Sequence, residues 1–124
     1  RPAPGTPGGT PVAGIGPVPV VDASDYLLRV NRAGGPPGAM TSVHSHAGSE
    51  AFYVLTGELS QRTPHQIVRV GAGQAMKGHG ADVAMQLTSS GTTDLDQLVL
   101  FVVDASRPFS SPATFETSRG RFPS

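Results

Sequence analysis

Two histidines one residue apart and a glutamate four residues further on form the densest group of metal-competent side chains in the sequence. They are His44, His46 and Glu50, in HSHAGSE, and the whole chain holds only four histidines and nine acidic residues. If AMTSVHSH is a strand, alternation with period two sends His44 and His46 to one face. A short turn at residues 47 to 49 then reverses the chain, and Glu50 opens the next strand beside the imidazoles. Two neutral imidazoles and one carboxylate make a three-ligand face of the kind that holds Fe(II) and also accepts Mn, Ni, Cu or Zn. The expected cofactor is one divalent transition metal, iron first.

The rest of the chain limits what that face can serve. At 124 residues it is long enough for one domain and short for two. Nine basic and nine acidic residues cancel, and no Lys/Arg run occurs, so neither nucleic acid nor an anionic membrane is an expected partner. The longest apolar run, LVLFVV, is far shorter than the roughly 20 residues needed to cross a bilayer. With no cysteine, disulfides, thiolate-ligated zinc and thiol nucleophiles are all excluded. The first residue is Arg1 rather than Met, which suggests a processed leader and a periplasmic or secreted location in preference to the cytoplasm.

Residues 1 to 19 are rich in Pro and Gly and read as a flexible arm. Short apolar stretches separated by turn residues follow: VPVVDA, DYLLRVN, AMTSVHSH, AFYVLTGELSQR, QIVRVG, QAMK, VAMQLTS and QLVLFVVD. None sustains a helical period, and β-branched, leucine and aromatic residues dominate, so the chain is expected to be all-β, a sandwich or closed barrel. The barrel is expected over 20–105, and the polar, Pro-rich residues 106–124 read as a tail over the surface.

Glycines frame the candidate ligands. The run GAMTSVHSHAGSEAFYVLTG, residues 38 to 57, has the form G-x5-H-x-H-x3-E-x6-G and closely resembles the first motif of the cupin superfamily. The resemblance covers about residues 26 to 104 and implies a double-stranded β-helix, the cupin or jelly-roll barrel, with a metal inside near one mouth. The family's second motif resembles G-x5-P-x-G-x2-H-x3-N. Aligned from Gly73 in GQAMKGHGADVAMQLTSSG, it puts His79 at the usual proline and Ala84 at the ligand histidine. One extra residue in GHGAD would bring Met85 to that position, lining the site more than ligating it. Gln86 could instead offer an amide oxygen, His79 could swing into the mouth, or water could complete the shell.

The resemblance and the residues together imply a metal-binding protein with a coordination position open for substrate or dioxygen. In that reading Phe52, Val54, Met85 and Leu87 supply an apolar pocket, while Val43 faces away by parity. A metal-dependent dioxygenase-type oxidoreductase acting on a small organic molecule is the leading expectation. A non-catalytic binding or sensing module is the alternative, favoured by the lack of a separate acid or base. His65, in the TPH turn, has no role in either. A homodimer is expected, with GPVPVVDA donated as an edge strand to a neighbour.

Overall fold

In the computed structural model, which describes residues 8–115, nine strands and no helix make up the regular structure. They are β1 (Tyr26–Gly35), β2 (His44–His46), β3 (Gly48–Thr56), β4 (Glu58–Arg62), β5 (Ile67–Gly71), β6 (Ala75–Lys77), β7 (Gln86–Ser89), β8 (Leu95–Asp104) and β9 (Ser110–Pro112). One sheet has the order β1-β8-β3-β6 and another β5-β4-β7, with β2 and β9 paired separately. Every strand pairing is antiparallel. The second sheet continues into β2 through isolated bridges, Met40 to Thr88 and His44 to Met85. The chain is thus all-β, as strand spacing predicts, and its two facing antiparallel sheets fit the double-stranded β-helix that the motif resemblance implies.

The core follows from alternation. Along β8, Leu95, Gln97, Val99, Phe101 and Val103 are buried, while the residues between them are half-buried or exposed. All but Gln97 meet Phe52 and Val54 of β3, Leu59 of β4 and Val70 of β5 in one apolar cluster, packed between the two larger sheets. Gly57, which closes the first motif, turns the chain from β3 into β4 at φ 78°. A Cβ there would come within 2.6 Å of the Asp94 carbonyl oxygen, so both conformation and space call for glycine.

Several expectations need correction. VPVVDA forms no strand within the chain, and Val20 stays 96% exposed. Residues 47 to 49 do not make a hairpin: a bend at Ala47 carries the chain from the sheet containing β2 into the one containing β3, a corner between sheets. The barrel does not end at residue 105, because β9 pairs with β2 in the register His44–Pro112, Ser45–Ser111 and His46–Ser110. The polar sequence Ser110–Pro112 carries no hydrophobic alternation, so nothing local announces it as a strand. Of the arm and tail, residues 1 to 7 and 116 to 124 lie outside the described residues.

At the edge of the four-stranded sheet, β1 leaves Leu28 and Val30 exposed, and Leu100 of β8 lies opposite Val30 on the same outer face. This is an apolar sheet surface of the kind that marks contact faces.

Candidate functional site

His44, His46 and Glu50 line one cavity of about 270 Å³ between the two sheets. The corner at Ala47 is what brings them there. His44 and His46 end β2 on one wall, and Glu50, third residue of β3, stands opposite Phe101 of β8 on the other. The imidazole rings meet edge to face, with centroids 4.9 Å apart and planes at 85°.

Each ring is oriented by a backbone carbonyl. His44 Nδ1 donates to the Ser42 carbonyl and His46 Nδ1 to that of Phe109, both at 2.8 Å. A carbonyl only accepts, so Nδ1 carries the proton and Nε2 is left as the lone-pair nitrogen of the neutral ring, the arrangement by which outer contacts prepare metal-ligating histidines. Burial holds His46 below the ordinary histidine range. The hydrogen bond to Phe109 opposes that shift, and electrostatic repulsion from the neighbouring His44 and from Arg29 reinforces it. His46 is also enclosed by Phe101 and Phe109, both at ring centroid distances of 4.8 Å.

Glu50 is the most anomalous side chain among the described residues. It is 1% exposed, and neither carboxyl oxygen has a hydrogen-bond partner. Burial pushes its pKa up to about 8. A carboxyl group taken from water without partners is expensive to keep, which points to a use for it beyond folding. Gly78 packs directly on it: the Gly78 N–H donates to the Glu50 carbonyl at 2.8 Å, and a Cβ on Gly78 would lie 2.5 Å from Glu50 Cγ. Gly78→Ala should therefore displace the Glu50 carboxyl and destabilise the fold by about 1–3 kcal/mol. Urea unfolding of the variant checks this, and an unchanged midpoint would mean that the contact is slack.

The donor chemistry fits a divalent transition metal: two preset imidazoles and a carboxylate with no other partner share one cavity. Among the described residues, however, no three His, Asp or Glu side chains are grouped closely enough as they stand to share one ion. Loading would therefore call for the Glu50 side chain to swing toward the imidazoles by changing rotamer, since the Ser42 and Phe109 carbonyls hold the two rings.

The other expected site residues fall differently. Met85 is buried opposite His44, and its sulfur accepts a weak hydrogen bond from Gln61 Nε2 at 3.7 Å; it is not part of the cavity wall. Between His79 and Met85 the chain passes through a turn where Asp82 takes φ 67° and its N–H donates to the His46 carbonyl at 2.9 Å. Gln86 faces outward from the cavity and donates to the Thr41 carbonyl at 3.0 Å. His79 is half-buried and away from the cavity wall. Leu87 does line the cavity, but Phe52 and Val54 belong to the core, because the inner face of β3 passes beneath the cavity and is covered by the second sheet. Val43 is half-buried and absent from the wall. Sequence reasoning missed Gln97, Ser89, Phe101 and Phe109, all of which line it. Gln97 had a visible signal, a lone polar residue in the inward series of β8.

No family model and no curated protein matches the sequence. Solved structures do match. Among them is a protein with a double-stranded β-helix domain from Klebsiella pneumoniae, 19% identical over 78% of this chain and 81% of that one, with a TM-score of 0.56. A cupin superfamily protein from Desulfitobacterium hafniense is 12% identical over 67% and 82%, with a TM-score of 0.54. The DMSP lyase DddQ from Ruegeria pomeroyi is 20% identical over 73% of this chain, with a TM-score of 0.59. This chain spans 45% of that lyase. These likenesses show that the fold is the cupin fold.

Proposed function

We propose, with the cupin fold as premise, that the chain is a metal-binding protein whose ligands are His44, His46 and Glu50, and that it is a dioxygenase-type oxidoreductase acting on a small organic molecule. The observation that carries the reading is the Glu50 carboxyl group: it is buried, without partners, and lines the same cavity as two imidazoles whose Nδ1 protons are already committed.

When bound, a transition metal would supply Lewis acidity and a binding position for dioxygen. The chain's own residues do the rest. The Ser42 and Phe109 carbonyls fix the imidazole tautomers, and Phe101 and Phe109 shield His46 from water. Leu87 and Val99 give the cavity an apolar wall suited to a small carbon skeleton. Fe(II) is the first choice for this donor set, with Mn, Ni, Cu and Zn acceptable.

A second reading, a binding or sensing module without turnover, is favoured by a specific observation. Among the described residues, the cavity wall holds no titratable side chain other than His44, His46 and Glu50, so once these grip an ion no separate acid or base is left. Elemental analysis of purified protein, followed by oxygen-uptake measurements across small organic substrates, separates the two. DMSP is tested separately, by its disappearance, because a structural neighbour is a lyase for it and a lyase consumes no oxygen. The oxidoreductase reading expects about one metal ion per chain and oxygen consumption with at least one substrate. Metal without turnover selects the module. Failure of wild-type protein to take up any of the five ions, with His46→Ala indistinguishable from it, removes both.

A further inference from the structure

Among the described residues, four buried side-chain atoms lack any hydrogen-bond partner: both carboxyl oxygens of Glu50, Ser89 Oγ and Gln97 Oε1. All three residues line the same cavity. Ser89 and Gln97 are each 3% exposed, and both face the cavity. Buried polar atoms are normally paired, and a fold that gathers every unpaired one around a single cavity has left those atoms for something that enters it.

The register places them at the end opposite the histidines. On β8, Phe101 faces Glu50, and Gln97 lies four residues along the same face, about 13 Å at the rise of a strand. On the facing wall Met85 bridges His44, and Ser89 lies four residues further along, where its N–H donates to the Ala39 carbonyl at 2.8 Å. Both walls therefore carry a polar group at the same far end, with Leu87 and Val99 between the two poles.

We propose that Gln97 and Ser89 form a second polar subsite, which anchors the uncharged hydrogen-bonding end of a small, otherwise apolar molecule whose other end lies at His44, His46 and Glu50. The anchored group is neutral, a hydroxyl or an amide. A carboxamide and a hydroxyl can both donate and accept, and no charged side chain lines that end of the cavity to balance an ion. The apolar stretch between the poles sets the length of the ligand. This deepens the reading of the metal pole and rests on it only for where the first end sits.

Straight-chain ω-hydroxy acids from hydroxybutanoate to hydroxyoctanoate, each paired with the unsubstituted acid of equal length, test the subsite by calorimetric titration of Mn(II)-loaded and metal-free protein. At one chain length the hydroxy acid should bind about tenfold more tightly than its parent. In Gln97→Leu that advantage should fall below about twofold, while the parent acid's affinity and the metal content stay unchanged and the melting temperature rises. Ser89→Ala should move in the same direction and serves if the first variant fails to fold. An advantage at no chain length, one that survives both variants, or no binding of any acid to either form overturns the subsite. If Mn(II) does not bind but the hydroxyl advantage appears in metal-free protein, the metal reading fails and the subsite stands.

Discussion

Glu50→Gln should make the metal-free protein more stable at pH 8, by on the order of 4 kcal/mol, and leave its stability at pH 5 nearly unchanged. The folded protein keeps a proton on Glu50 up to about pH 8, against an ordinary value of 4.5. The unfolded chain gives that proton up near the ordinary value. Between the two the folded state binds the extra proton, so stability falls as pH rises through this window; it is fully present below about 4.5 and lost above about 8. Glutamine removes the charge and with it the slope. Urea unfolding of wild-type and variant protein across that range is the measurement. Parallel profiles would mean that Glu50 ionises without penalty and is not buried as described. The same variant should lose metal uptake, since an amide oxygen is a much weaker donor than a carboxylate.

Binding of a divalent ion near neutral pH should release close to one proton per ion, falling toward none above about pH 9. A ligating carboxylate must be ionised, and Glu50 is protonated in the metal-free protein at pH 7. Burial lowers His46 from the ordinary histidine value, which disfavours its carrying a proton that would add to the count. Affinity should therefore tighten by nearly tenfold per pH unit up to about pH 7 and more gently as pH approaches 8. Titration calorimetry in buffers of differing ionisation enthalpy counts the protons directly. At a hundredfold excess of ion over its Kd the protein should gain about 2.7 kcal/mol of stability. Tight binding with no proton released would place the ion somewhere other than on Glu50.

Much of this was legible from residue order. The eight apolar stretches anticipated most of the strands, and alternation within AMTSVHSH put His44 and His46 on one cavity because period two is a local property of a strand. The glycines that frame the motif, Gly38 and Gly57, both take positive φ, so their spacing reports turn geometry. What was not legible is long-range. The strand β9 is three polar or Pro residues whose partner lies more than sixty positions earlier, and only the folded chain reveals the pairing. Met85 was expected to line the site; it is buried opposite His44 but outside the cavity wall, and the chain alone could not show that Gln61 would occupy its sulfur. Gln97 could have been noticed: in LDQLVLFVVD every second residue from Leu95 is apolar except this one, and the exception faces the cavity.

The carbonyl that sets the His46 ring belongs to Phe109, 63 positions downstream. During synthesis from the N-terminus the imidazole emerges first, yet it has no defined orientation until the residues 63 positions later have left the ribosome and β9 has docked on β2. Assembly of the pocket is consequently a closing event of folding, and the nascent barrel passes through most of its growth with that ring free to turn.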